Sequence, residues 1–142
     1  MQIRNWLLFP LALMWPMAVV FGGELVGVTP DELKTLQQEG ARIIDVRAPE
    51  EWQKTGMIPG SDPLTYFDAH GGYDTTAWLQ KLNAISPGKT GKIVLVCRSG
   101  NRSSVIGKML ADEQGYPKVY HLEKGVREWA AEGNALKPCQ GC

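Results

Sequence analysis

The chain has 142 residues, with 15 Lys plus Arg balanced by 15 Asp plus Glu, and 44% of it is hydrophobic. With no excess of either sign, the composition gives no reason to expect nucleic acid or an anionic membrane as partner, and favours a small-molecule or protein substrate. No internal repeat or low-complexity tract is visible, so one domain around one core is expected once the first segment is set aside.

That first segment carries a single cation, Arg4, before an uncharged apolar run from Trp6 to Phe21, broken by Pro10 and Pro16. The run is shorter than the roughly 20 residues that span a bilayer as a helix, and its prolines weaken a continuous helix. A charged start, a short apolar centre and small residues at the end describe a secretory signal peptide over residues 1–22, cut before Gly23. Trp6 and Trp15 favour the alternative of a retained membrane anchor, because indoles prefer the interface. No cysteine near the boundary suggests a lipid anchor. Either way the domain over 23–137 is expected to be exported, periplasmic in a Gram-negative source, with membrane contact only if the segment is retained.

A short strand is predicted over Leu25–Val28. Thr29 then caps a helix with Pro30 at its first position and Glu32 completing a capping box, and the helix stops near Gly40. Ile43, Ile44 and Val46 mark a buried strand ending at Asp45-Val46-Arg47, followed by a short helix over Glu50–Lys54. Residues 62–74, with Gly71-Gly72, read as a long connection that could line an entrance. Asp74 or Thr75 caps a helix carrying Trp78, Leu79 and Leu82 and closed by Pro87-Gly88. A central strand over 92–96, a helix over about 103–114, a strand over Val119–Leu122 and a helix over Val126–Ala131 complete the chain. Strands alternating with helices imply an α/β fold, a mainly parallel sheet of about five strands with helices on both faces.

The most informative stretch is Lys92-Ile93-Val94-Leu95-Val96-Cys97-Arg98-Ser99-Gly100-Asn101-Arg102-Ser103-Ser104. An apolar run ends in a cysteine, a polar loop follows, and Val105, Ile106, Met109 and Leu110 then recur at helical spacing. This sets a thiol at the carboxyl end of a buried strand, below a helix amino terminus, where open α/β sheets bind ligands. Helix amides and the flanking Arg98 and Arg102 favour a thiolate there. Gly100 lets the backbone curl, and the amides from Arg98 to Ser103 are expected to converge on the sulfur as an anion-binding nest. Cys97 therefore reads as a nucleophile rather than as a small buried hydrophobe.

Other candidates carry weaker signals. Asp45 and Arg47 lie at the same sheet edge and either add positive potential or, the preferred reading, pin the loops through an ion pair. Trp52, Trp78 and Trp129 read as core or pocket wall. His70 and His121 lack ligand-spaced partners, so packing or solvated roles are expected and no catalytic metal. The tail over 138–142 holds Cys139 and Cys142 as C-x-x-C. It is open to three readings: a local disulfide that leaves Cys97 the one free thiol, a redox or sulfur-relay partner of Cys97, or half of a metal site shared with another chain.

The C-x4-R spacing of Cys97 and Arg102, in order with three other elements, resembles the single-domain rhodaneses. Asp45-Val46-Arg47 with Pro49-Glu50-Glu51-Trp52 matches that family's D-V-R…E-(aromatic) signature, and Gly56-Met57-Ile58-Pro59-Gly60-Ser61 its G-H-I-P-G-A element. Gly115-Tyr116-Pro117 through Val119, Leu122, Gly125 and Trp129 follows its closing segment. Met57 replaces the usual histidine, Lys124 the first of two glycines, and Asp62-Pro63-Leu64 an apolar-Asn-apolar run. The resemblance implies a rhodanese-like fold acting as a monomer. It further implies a thiosulfate sulfurtransferase that needs no cofactor and works through a Cys97 persulfide in two ping-pong steps. Arg98, Ser99, Gly100, Asn101, Arg102 and Ser103 would bind the small anionic sulfur donor, and cyanide or a thiol would accept the sulfur. Two alternatives stay open: a partner-recognition or sulfur-carrier module, and a cysteine-dependent phosphatase or arsenate reductase, whose loop is the longer C-x5-R.

Overall fold

The computed structural model describes residues 22–140 and 142; the expected leader lies, but for Gly22, outside the described residues. Ten elements follow in order: β1 Glu24–Val28, α1 Pro30–Gln38, β2 Arg42–Asp45, α2 Pro49–Thr55, β3 Asp62–Pro63, α3 Thr75–Ile85, β4 Ile93–Val96, α4 Asn101–Glu113, β5 Lys118–Leu122 and α5 Gly125–Ala131. Local chemistry sets most of the helix starts. The Glu32 carboxylate accepts the Thr29 N–H at 2.8 Å while the Thr29 hydroxyl accepts the Glu32 N–H at 3.3 Å, the reciprocal box that pattern predicts. Asp74 caps α3 by accepting the Ala77 N–H at 3.0 Å. At α2 the cap residue is Ala48, which has no polar side chain, and only the Glu51 half of the box forms, accepting the Ala48 N–H at 3.0 Å.

The five strands form one all-parallel sheet in the order β1-β5-β4-β2-β3. Side chains alternate across it as a pleat requires. On one face Ile93, Leu95 and Cys97 pack with Trp78 and Leu82 of α3 and Ile106 and Leu110 of α4. On the other, Val94 and Val96 pack with Leu33 and Leu36 of α1 and Val126 and Trp129 of α5. Helices thus cover both faces, and burial of both explains the near-continuous apolar reading of β4.

Three differences from the sequence expectation bear on the site. β3 was not anticipated: it has two residues, one of them proline, and pairs only with Ile44 and Asp45 of β2. Beyond it Leu64 and Tyr66 keep pairing with Asp45 and Val46, so the start of the 62–74 segment extends the sheet. α4 begins at Asn101, two residues before the expected 103, because Gly100 takes a left-handed conformation and turns the chain straight into the helix. β2 ends at Asp45, although Val46 N–H still reaches Val96 O at 2.9 Å.

Strand order creates the functional edge. Adjacent strands β2 and β4 send their chains in opposite directions, to β3 and to β5, so the loops after them part at their carboxyl ends. Such a switch point leaves a crevice between two helix amino termini. Here they belong to α2 and α4.

Candidate active site

Cys97 follows β4 directly and is 1% exposed. The turn after it is clamped from behind by α5: Val126 N–H donates to Cys97 O at 2.9 Å and Arg127 N–H to Arg98 O at 3.1 Å. Two glycines permit this approach. A Cβ on Gly125 would lie 2.3 Å from Arg98 O, and one on Gly100 would lie 1.9 Å from Glu123 O. Both also have positive φ, 68° and 95°, where a side chain is strained. Lys124, in place of a family glycine, has φ −109° and needs no such freedom.

Three groups meet the sulfur. Gly100 N–H donates to Cys97 Sγ at 3.1 Å, Ser103 N–H reaches it at 3.5 Å, and the Ser103 hydroxyl lies 3.4 Å away. The expectation that every amide from Arg98 to Ser103 converges on Sγ needs correction. Direct bonds come from two, because the Gly100 turn fixes which N–H vectors point at the sulfur. Among the described residues the N–H groups of Arg98, Ser99, Asn101 and Arg102 have no protein acceptor, and Asn101 and Arg102 open α4, where first-turn amides point out along the axis. The loop therefore holds one sulfur and keeps donors in hand for an anion beyond it.

The two loop arginines differ. Arg98 is exposed and, among the described residues, makes no ion pair. Arg102 is half-buried and forms a two-pronged pair with Glu51 of α2, both contacts at 2.7 Å. The Arg102 hydrogen bond holds the Glu51 carboxyl below its ordinary value, against the opposing effect of burial. Reciprocally the Glu51 hydrogen bond raises Arg102, with smaller contributions from the charges of Cys97 and Asp45. This pair ties the helix termini across the switch point.

Asp45 and Arg47 are sealed, at 0% and 1% exposure. The Asp45 carboxylate accepts Arg47 Nη2 at 2.8 Å and Nε at 3.0 Å, and Arg47 also donates to Thr55 Oγ1 and Gly56 O, both at 2.9 Å. The guanidinium is spent on the α2 connection, which locks the loop on one side of the crevice. Trp78 donates to Leu64 O and Trp129 to Ala135 O, each at 3.0 Å, and both rings belong to the core with Trp52. His70 lies in a turn organised by Asp68, whose carboxylate accepts the His70 and Gly72 N–H groups at 2.8 Å. The rest of the 62–74 segment forms an aromatic cluster, with Tyr66, Phe67 and Tyr73 beside Val105 and Met109 of α4 around a cavity of about 450 Å³.

Sequence reasoning missed His121 as a member of the site. It is 8% exposed and shares the α4 face of β5 with Val119, and its Nδ1 lies 3.1 Å from Ser103 Oγ. Burial lowers its pKa below the ordinary imidazole value, opposed by Glu123. The only sequence signal is parity along β5, and that has no meaning until β5 is known to neighbour β4.

The tail cysteines are placed elsewhere. Cys139 and Cys142 are joined as a disulfide and Cys97 is the free cysteine. The tail is fastened by Met57 and Lys137, which exchange backbone hydrogen bonds at 2.7 and 2.8 Å. Cys139 lines a cavity with Met57–Ser61 and Pro63, none of them in the Cys97 loop.

A parallel α/β sheet whose central strand delivers a buried cysteine to the amino terminus of a helix defines a class of α/β proteins built around a cysteine loop. Within it, the rhodanese-like domain family matches residues 29–132, and the chain belongs to that family. A rhodanese domain-containing protein of Drosophila melanogaster is 40% identical over 90 residues, covering 62% of this chain and 80% of the relative. The thiosulfate sulfurtransferase GlpE of Pseudomonas entomophila is 28% identical over 119 residues, covering 79% and 97%. The solved thiosulfate sulfurtransferase of Pseudomonas aeruginosa shares the fold at a TM-score of 0.61 and 24% identity, over 82% of this chain and 21% of that one.

Proposed function

We propose that the protein is a sulfurtransferase that carries sulfane sulfur on Cys97 from thiosulfate, or a donor like it, to cyanide or a thiol. One observation carries the reading: a single sulfur sits between the N–H groups of Gly100 and Ser103 while neighbouring loop amides have no acceptor among the described residues. The Cys97 thiolate attacks the outer sulfur of thiosulfate; the new S–S bond forms as the donor's S–S bond breaks, and sulfite leaves with that electron pair. The anionic outer sulfur of the persulfide then rests against the spare amides, which are oriented before the charge arrives. An acceptor attacks that sulfur, takes it away, and returns Cys97 as thiolate, which is a ping-pong exchange. Arg98, exposed and free of an acidic partner among the described residues, attracts the anionic donor.

The reading includes an exported location. It is supported by the signal-like pattern of residues 1–22 and by the Cys139–Cys142 disulfide, since such bonds persist in oxidising compartments.

Mass spectrometry after thiosulfate treatment tests the function. The Cys97 peptide gains about one sulfur atom, loses it on adding cyanide, and shows neither change in Cys97→Ser. A folded wild-type protein with no added sulfur at any thiosulfate concentration would refute the proposal.

A further inference from the structure

The proposed mechanism starts from a thiolate, yet Cys97 is 1% exposed, which leaves its thiol little contact with water. Its nearest hydroxyl, Ser103 Oγ, lies 3.4 Å from Sγ and 3.1 Å from His121 Nδ1. The same hydroxyl lies 3.1 Å from Gly100 O, so its one proton can point in three directions. His121 Nε2 has no hydrogen-bond partner among the described residues, and it is absent from the buried polar atoms cut off from both partner and solvent, which number only Trp52 Nε1. The imidazole therefore has one nitrogen on the buried hydroxyl and the other at the solvent side.

We propose that Ser103 and His121 form the proton exit of the active-site cysteine, with His121 as a positioning residue acting through Ser103. The S–H bond breaks as Ser103 Oγ takes that proton; Oγ releases its own proton to Nδ1, and Nε2 gives one up to water. No electrons change hands. Afterwards Nδ1–H donates to Oγ, which turns the Ser103 hydroxyl away from Gly100 O and toward the thiolate, adding a third donor to the amides of Gly100 and Ser103. Burial that disfavours the imidazolium suits this role, because a neutral ring can accept at Nδ1. Among the described residues the charged group acting on His121 is Glu123, just beyond β5; in register β4 presents Leu95 and β1 Gly27 opposite it, and α4 presents the uncharged Ser103.

This inference rests on Cys97 being the reacting atom and is independent of the sulfur donor, so it is tested by alkylation rather than by turnover. The sulfur-free protein is treated with iodoacetamide across pH 5 to 10, as wild type, Ser103→Ala, His121→Phe, His121→Leu and the Ser103→Ala/His121→Phe double variant. Losing one hydrogen bond to a charged group lowers the rate at pH 7 by about tenfold or more. Ser103→Ala and His121→Phe should both do so by moving the midpoint of the profile upward, with the high-pH plateau unchanged. Since His121 works through Ser103, the double variant reacts no more slowly than Ser103→Ala alone. His121→Leu, which is close to the imidazole in size and has no hydrogen-bonding group, gives the same upward shift and carries the test if the phenylalanine variant fails to fold. Additive losses, an unmoved midpoint with a lowered plateau, or wild-type behaviour of His121→Leu would each overturn the relay. Absence of sulfur transfer with these profiles intact would overturn the proposed function and leave the relay standing.

Discussion

Replacing Gly100 by alanine probes the site at its narrowest point. Two costs are separable. The first is conformational: φ is 95°, and a Cβ in the left-handed region costs about 1–2 kcal/mol. The second is steric: the Cβ would stand 1.9 Å from Glu123 O and 2.8 Å from Glu123 C. Comfortable separation from such atoms is roughly 3.5 Å, so the Cys97 turn and the β5–α5 connection must part by about 1.5 Å. Both partners are backbone, with no flexible side-chain end to yield, and forced overpacking of this kind costs about 1–3 kcal/mol. The sum is about 2–5 kcal/mol, or a drop of roughly 10–20 °C in Tm for a domain of this size. The movement also carries Gly100 N–H away from Cys97 Sγ, now 3.1 Å off. Displacement on this scale costs about 100-fold in rate. Gly40 supplies the control, with φ 91° and nothing within 4 Å of a built Cβ. Gly40→Ala should lose only the conformational part, about 1–2 kcal/mol, and react like wild type. Thermal melts and Cys97 alkylation rates on the two variants decide the matter: equal losses of stability together with an undiminished rate in Gly100→Ala would show that Glu123 O does not confine the loop.

Two more outcomes follow from the charges around the loop. Arg98→Ala should raise the KM for thiosulfate several-fold with little change in kcat, and should flatten the fall of kcat/KM with added salt, because a free exposed cation acts by screened attraction; steady-state kinetics at two ionic strengths measure both. Glu51→Gln tests the bridge to Arg102. The folded Glu51 carboxyl titrates below 4.5, its ordinary value. Its contribution to stability is therefore complete above that pH and is lost as pH falls through the folded value. The contribution is modest, under about 1 kcal/mol, since the pair is part-exposed. Urea midpoints followed from pH 6 to 3 should show an acid-side decline in wild type that is shallower in Glu51→Gln.

Legibility in the sequence tracks how local each feature is. The Thr29–Glu32 box spans three residues, and its chemistry is complete within them. Cys97 was readable because strand end, glycine turn and helix start are contiguous. The direction of each amide was not, since it depends on the left-handed turn at Gly100. β3 escaped notice because two residues make no period and a proline there removes a donor. The Glu51–Arg102 pair bridges 51 positions and Ser103–His121 bridges 18. Neither distance is local on a helix or a strand; each pair meets only because strand order puts β2 and β5 on either side of β4. The tail disulfide was among the readings the C-x-x-C left open, whereas its seat against Met57 needed the strap between Met57 and Lys137.

The disposition of the three arginines bears on how the proposed cycle turns over. Arg47 is sealed on Asp45 and Arg102 is engaged by Glu51, which leaves Arg98 as the loop cation without an acidic partner among the described residues, exposed at the rim. A persulfide must form and then give up its sulfur, so a site that bound the intermediate very tightly would speed the first half-reaction at the expense of the second. A full guanidinium in contact with the outer sulfur would do that. Backbone N–H groups carry partial charge and no net charge, and they favour an anion without holding it as an ion pair does. The division fits the proposed chemistry: a rim cation would act at a distance on a dianionic donor, amides would receive the monoanionic sulfur, and Glu51 keeps Arg102 occupied. Arg47 then serves the site by geometry alone, fixing the β2–α2 turn from which Glu51 reaches Arg102.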